Sequence, residues 1–458
     1  MSCESPIIQG SLDQPLAWLS KSLNGLAVDV DGRVIARGQF IAHVVALSKQ
    51  LPDRAYALNL CDNRYLFLVA AWAVILRKQT NLLPPNKNTA TQNQLSLRYP
   101  DVYAIHDGIA DLDQSIDTFD MSALSWALSS FDGQVPSVAF DHLAIISFTS
   151  GSTGESKPNL KTWRTLEQSS VINAVNMLPD SESFFYHLAT VPGQHMWGLE
   201  TSVMLPVFAN ACLVDARPMF PQDILDVLRR MPGPRALIST PLHLRALLGS
   251  QCDTTPIVAN VLCATAPLHD TLAAQVEASF SATLREVYGC SEVGSMAVRR
   301  TAKTNAWQPF DGIDFSYEDN GSVQVNTDYL PASITLEDKL NAQADGTFTL
   351  AGRVTDQIKI AGKRGSLSEV NAVLNRFEGV LDGIVIFPEQ DRPVPRLVAI
   401  VVLAGEYDKA SLRTHFREYV DPAFVPRPIY LVDSLPREEN GKLAKSELMT
   451  LYKSLISA

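Results

Sequence analysis

The chain has 458 residues, of which 46% are hydrophobic and 19% charged, and its formal net charge is −11. That length allows about three domains. The acidic balance argues against a nucleic-acid partner or an anionic-membrane surface, while leaving room for a local basic site that meets phosphates. The six cysteines (Cys3, Cys61, Cys212, Cys252, Cys263, Cys290) are scattered, with no CxxC and no His/Cys cluster. This is the pattern of free thiols in a reducing compartment, not of a disulfide frame or a zinc site. The N-terminus "MSCESPIIQG" has neither a basic segment nor an apolar core, so no signal peptide is read. The longest apolar run, Tyr65 to Leu76, is flanked by Arg64 and Arg77 and is too short to span a bilayer. A cytoplasmic protein with no membrane span is expected.

In chain order, "FIAHVVALSKQL" reads as an amphipathic helix, "YALNL" as a short strand and "RYLFLVAAWAVILRK" as a buried helix. The apolar strand "HLAIISF" leads into the glycine-rich "TSGSTGESKP", and "TWRTLEQSSVINAVNML" reads as the next helix. Strands "PRALIST", "IVANVLCAT" and "TLREVYG" then alternate with helices "TPLHLRALLGS" and "HDTLAAQVEASF", which implies βα units and a largely parallel sheet. From about Asn320 the texture changes to short strands: "GSVQVNTDYL", "ASITLED" and "DGTFTLAGR", the last turning at Asp345-Gly346. The hairpin "DQIKIAGKRG" follows. After it come helix "SLSEVNAVLNRF", strands "GIVIF" and "LVAIVVL", helix "KASLRTHFREYV", strand "PIYLVD" and a last helix near Lys445–Leu455. The reading is an α/β large N-terminal domain with mostly parallel sheets, residues 1–353, plus a small mobile α+β C-terminal domain, residues 354–458.

Four stretches carry candidate chemistry. The loop from Thr149 to Gly154 has glycines that let backbone N–H groups approach an anion and hydroxyls that add donors, with Lys157 close behind. Walker spacing fails here, because Gly151 is followed four residues later by Glu155 and Ser156; GxGxxG fails too. A solvated turn has the same composition. "EVYGCSEVG" places Tyr288 and Gly289 at a strand end, and Glu292 is a hard oxygen ligand suited to Mg²⁺. Asp338 and Arg353, fifteen residues apart, have the chemistry to bind a ribose, and Asn440-Gly441 is a tight turn directly before Lys442. Each of these also reads as ordinary surface or loop when taken alone.

In this order, from about Arg64 to Leu448, the stretches resemble the adenylate-forming superfamily: acyl- and aryl-CoA synthetases, luciferases and nonribosomal-peptide adenylation domains. "FTSGSTGESKP" resembles its phosphate loop and "YGCSE" its Tyr-Gly-x-Thr-Glu motif. "LEDKLNAQADGTFTLAGRVTDQIKIAGKR" resembles its ribose aspartate, arginine, hinge and hairpin, and "LPREENGKL" its terminal lysine motif. "QHMWGLE" resembles the start of the acyl pocket and "LCATAPL" the pocket strand. Departures are Pro158 and Asn159 after the loop lysine, Ser291 for threonine, Glu337 for glycine, Thr355 at the hinge, Gly365 and Leu367 for Ile and Pro, and Glu438 for threonine. They mark a short, divergent stand-alone AMP-ligase and put the domain rotation in question.

The resemblance implies ATP and Mg²⁺ as cofactors. It implies that Thr149, Ser150, Gly151, Ser152, Thr153, Gly154 and Lys157 hold phosphates and that Glu292 binds the metal. Tyr288, Gly289 and Ser291 line the nucleotide, and Asp338 and Arg353 hold its ribose. Lys442 bridges the acyl and α-phosphate oxygens, and Gly362 lies beside a thiol channel. His195, Trp197, Gly198, Ala264, Thr265 and Ala266 would wall the acyl pocket, His195 gating it, although His195 and Trp197 read equally as a packed core pair. The segment lacks the aspartate that holds an amino acid's ammonium, and Glu200 comes later. The implied partners are therefore a non-amino carboxylic acid, aryl or unsaturated, and CoA or a phosphopantetheinylated acyl carrier protein. A non-catalytic acyl-AMP or nucleotide binder of the same fold, and a phosphotransferase, are the competing readings.

Overall fold

The structure, a computed structural model, describes the chain apart from residues 1–2, 22, 24–25, 27–30, 109–110, 127–129, 150–156, 179–183, 251–254, 354–355, 361–362, 389–395, 439–440, 444 and 458. Ser150, Gly151, Ser152, Thr153 and Gly154 therefore lie outside the described residues, as do Thr355 and Gly362 and the side chains of Thr149 and Arg353.

Two large sheets form the first part of the chain. A six-stranded sheet runs in the order 157–162, 143–149, 80–83, 56–59, 102–106, 118–120. A nine-stranded sheet runs 308–309, 294–299, 283–290, 260–263, 235–239, 185–189, 211–214, 15–19, 33–36. The central strands of the second are parallel, and its edges are antiparallel. The helix Arg64–Leu76 has almost no exposed residue, as expected for a helix apolar all round. It starts at Asn63, whose side chain accepts from Tyr65 N and Leu66 N. Its first residue, Arg64, donates to the carbonyls of Ala189 and Val191 at 3.1 and 2.8 Å and to Ser202 Oγ. One buried guanidinium thus ties this helix to the second sheet. Burial pushes its pKa down to about 9, so it stays charged at neutral pH.

One element differs from expectation. The chain does not pass from the glycine loop straight into a helix. Lys157–Thr162 is a strand, antiparallel to Leu143–Thr149 with Lys157 opposite Thr149, and the helix Trp163–Met177 follows. Its alternation is inverted: Asn159 and Lys161 are buried, while Leu160 is exposed. Hydropathy cannot reveal a strand whose polar face is the inner one.

Smaller sheets, 314–317 with 323–326 and 334–335, and 338–342 with 348–353, complete the large N-terminal domain. The small C-terminal domain has the hairpin Gln357–Ile360 and Lys363–Ser366 and a three-stranded sheet, Val380–Ile386, Val398–Leu403 and Ile429–Leu431. Helices Leu367–Arg376, Lys409–Tyr419 and Lys445–Ser457 accompany them. Leu374, Ile400, Leu412 and Phe416 are fully buried there. Among the described residues no helix is long and apolar enough to cross a membrane.

Candidate active site

In open α/β sheets ligands gather beyond the carboxyl ends of the strands. Four neighbouring strands of the large sheet, 185–189, 235–239, 260–263 and 283–290, run parallel. Just past their carboxyl ends come His195, Thr240, Ala264 to Ala266, and Ser291 with Glu292. Residues far apart in sequence therefore share one edge.

Glu292 Oε1 accepts from Lys157 Nζ at 3.1 Å. Burial, the largest single influence, opposes ionisation of Glu292, but the Lys157 hydrogen bond and charge, together with hydrogen bonds from its own backbone and from Cys290, hold the carboxyl below its ordinary value; the same Lys157 bond raises the Lys157 pKa. The glycine loop's lysine and the Tyr-Gly-x-Ser-Glu carboxylate thus meet. Among the described residues no three His, Cys, Asp or Glu side chains gather into a metal cage. Glu292 offers a single carboxylate, the donor set of a Mg²⁺ held otherwise by phosphate oxygens and water, and it fits that ion.

The turn carrying Glu292 is pinned by two charges that hydropathy does not reveal. Lys161, 1% exposed, donates from Nζ to the Glu292 carbonyl at 2.7 Å. Glu200, in the π-type stretch Leu199–Met204, accepts from Ser295 N at 3.0 Å, Ser295 Oγ at 2.8 Å and Asn173 Nδ2 at 3.3 Å. Burial lowers the Lys161 pKa and raises that of Glu200, and each charge counters the shift of the other. Gly294, at φ +103°, sits where a Cβ would overlap Glu200 Oε1. At Gly289 a Cβ would run into the Gly294 carbonyl, because the strand bulges between Tyr288 and Gly289.

Tyr288 is buried against Trp307 and Phe348, and its hydroxyl donates to Asp338 Oδ2 at 2.8 Å. Its ring is packed and its polar end is committed to the aspartate, so it positions Asp338 more than it offers a free stacking face. Asp338 pairs across the antiparallel ladder with Arg353, which brings those two backbones side by side.

Trp197 is buried, and its Nε1 donates to the Ser239 carbonyl at 3.2 Å. It shares an apolar cluster with Ala264 and Tyr288, so its ring is packed. Gly198 has a packing reason: a Cβ there would overlap the Pro192 carbonyl. Thr265 adopts φ +82°, uncommon for a β-branched residue. Burial, and then the charges of Lys442, Arg217 and Lys87, push His195 down to about 4. At neutral pH it is an uncharged imidazole. The Lys442 turn belongs to the small domain yet reaches this place: a Cβ on Gly441, φ +80°, would stand 3.3 Å from Thr240 Oγ1. Thr240 and Thr190 share His243 Nδ1 at 3.0 and 3.1 Å, a polar floor with no motif to announce it.

A family model described as AMP-binding enzyme matches residues 38–316, and one described as AMP-binding enzyme C-terminal domain matches residues 369–442. The chain belongs to the AMP-binding enzyme family. It is thereby a member of the adenylate-forming superfamily. This family member is 30% identical over 299 residues to a 4-coumarate–CoA ligase of Rhodobacter capsulatus, covering 64% of this chain and 73% of that one. It is 21% identical over 309 residues to a 3,4-dihydroxybenzoate–[aryl-carrier protein] ligase of Bacillus anthracis, covering 67% and 73%. Among solved structures, an anthranilate CoA ligase in complex with anthranoyl-AMP superposes with a TM-score of 0.77 over 93% of this chain and 94% of that one. At 16% identity this shows the shared fold alone.

Proposed function

We propose that this AMP-binding enzyme activates a non-amino carboxylic acid, aryl or unsaturated, as its acyl-AMP and passes the acyl group to a phosphopantetheine thiol, on an acyl carrier protein or on CoA. Family membership supports ATP use and an AMP-forming acid–thiol ligase. The observation that carries the reading is the seating of the Gly441–Lys442 turn of the small domain on Thr240 of the large one, with the Lys442 charge felt at His195.

In this reading a carboxylate oxygen attacks the α-phosphorus of ATP, the bond to the β-phosphate oxygen breaks, and pyrophosphate leaves. Negative charge grows at the α-phosphate, so catalysis needs positioning and cationic stabilisation. Lys442 supplies the cation at the acyl and α-phosphate oxygens, and Lys157 with the 149–154 loop holds the β- and γ-phosphates. Asp338, oriented by Tyr288, and Arg353 hold the ribose, with Gly289 and Ser291 beside the nucleotide. Glu292 would hold a Mg²⁺, which neutralises phosphate charge. The thiol then attacks the acyl carbon and AMP leaves with the bonding pair.

The acid preference rests on charge. The segment around His195 has one carboxylate, Glu200, and Ser295 and Asn173 already occupy it. His195 is neutral. Nothing in this segment is left to balance a substrate ammonium, while Trp197 and the small residues Ala264, Thr265 and Ala266 suit a ring or an unsaturated chain. The carrier-protein ligase and the CoA ligase among the relatives support a phosphopantetheine thiol as acceptor.

The test is isotope exchange between pyrophosphate and ATP with a panel of aryl, fatty, hydroxy and α-amino acids. Exchange with aryl or unsaturated acids is expected. Exchange with α-amino acids alone would remove the substrate assignment. Nucleotide binding without exchange for any acid would favour a non-catalytic binder.

A further inference from the structure

Among the described residues, the small domain meets one helix of the large domain, Pro241–Gly249, at two points. At the helix start, Gly441 lies against Thr240, which caps it. Further along, Arg245 Nη1 donates to the Leu381 carbonyl at 3.0 Å. Between the two lies a cleft of about 470 Å³ lined by Arg245, Leu381, Asp382, Leu435 and Arg437 among others.

A β-bulge makes the second contact. Val380 pairs with Leu403 and Asp382 with Val402, so Leu381 has no cross-strand partner. A bulged residue turns its polar groups out of the ladder, and here the large domain uses the carbonyl. The next residue, Asp382, takes Arg437 in a two-pronged pair: Nε to Oδ2 at 2.8 Å and Nη2 to Oδ1 at 2.6 Å. The third prong of the same guanidinium, Nη1, donates to the Gly441 carbonyl at 2.6 Å. Glu438 N donates to the Lys442 carbonyl at 2.8 Å. The side chains of Arg437 and Asp382 are 18% and 14% exposed. A planar fork held by a carboxylate sets direction as well as distance, so the peptide before Lys442 is aimed by a rigid group.

We propose that Asp382 and Arg437 are positioning residues for Lys442, and that Arg245 is a latch favouring the arrangement in which that lysine faces the acyl pocket. The proposal rests on the role given to Lys442 above. It makes the lysine's aim depend on domain docking, because the bulge that receives Arg245 adjoins the carboxylate that holds Arg437.

The test measures two half-reactions on the full chain: acid-dependent pyrophosphate exchange, and thiol transfer from chemically prepared acyl-AMP. Lys442→Ala is the reference. Asp382→Asn should lower exchange by about 10²-fold, the cost of a displaced catalytic group, with transfer nearly unchanged. Arg437→Lys, which keeps the charge and loses the fork, should fall between Asp382→Asn and the unaltered chain. Arg245→Ala should lower exchange roughly tenfold through the lost charge-assisted contact and leave transfer at or above its normal rate. A role in folding alone would lower both half-reactions together. Should Asp382→Asn melt near the assay temperature, Arg245→Ala carries the test, since it acts on the small domain from outside. Normal exchange in Asp382→Asn and Arg245→Ala beside a crippled Lys442→Ala would overturn the proposal and leave the function standing. Normal exchange in Lys442→Ala would remove the lysine's role and the proposal with it.

Discussion

Replacing Lys161 by methionine keeps the length of the side chain and deletes a charge that the fold has taken out of water. The residue is 1% exposed. Its ammonium serves the Glu292 carbonyl at 2.7 Å and balances the buried Glu200. Losing the hydrogen bond alone would cost about 1.5–3 kcal/mol. Stranding a buried carboxylate raises that to about 3–5 kcal/mol. The larger figure holds only while Glu200 stays ionised. Burial already raises its pKa, and without Lys161 it rises further. The folded variant then binds a proton that the unfolded chain lacks above its ordinary carboxyl pKa, so the deficit should shrink as pH falls toward that value. Glu200→Gln alone leaves Lys161 stranded in turn. The double variant Lys161→Met/Glu200→Gln should cost less than the sum of the singles. Urea unfolding of the four proteins at two pH values gives the cycle. A loss under about 1 kcal/mol for Lys161→Met, or additivity within about 0.5 kcal/mol, would refute the pair.

Tyr288→Phe removes the hydroxyl that orients Asp338; the KM for ATP should rise several-fold, with stability lowered by about 1 kcal/mol, and an unchanged KM would contradict the orienting role. Gly198→Ala should destabilise by about 1–3 kcal/mol because the added Cβ meets the Pro192 carbonyl, which thermal unfolding measures. His43, His187, His195 and His269 are each held at about 4, by burial first. Below an unfolded pKa of about 6.5 the unfolded chain binds protons that the folded chain refuses until near 4, so stability should fall as pH drops through that window. Flat denaturation midpoints from pH 7 to 4.5 would contradict this.

Apolar runs announced the helix Arg64–Leu76 and the strand Leu143–Thr149, because burial on every side leaves an uninterrupted hydrophobic string. Lys157, Glu292, Asp338 and Lys442 stand in motifs, and the fold brings Lys157 to Glu292 across 135 residues. Lys161 and Glu200 stayed hidden because a charged residue is read as solvated unless its partner is known, and each partner lies on another element. The strand Lys157–Thr162 stayed hidden for the same reason, its inner face being polar. The pairing of Asp382 with Arg437 spans 55 residues and has no periodicity. The packed state of Tyr288 depends on Trp307 and Phe348, which no local pattern near Tyr288 indicates.

The most direct measurement is the rate of acyl-AMP formation by Lys442→Ala, taken beside its rate of thiol transfer from ready-made acyl-AMP. Loss of a cation that meets charge in the transition state should slow adenylation by about 10²–10³-fold. Transfer should be nearly unaffected and the fold intact, since Lys442 is exposed. Adenylation at the normal rate, or an equal fall in both half-reactions of a folded protein, would contradict the account.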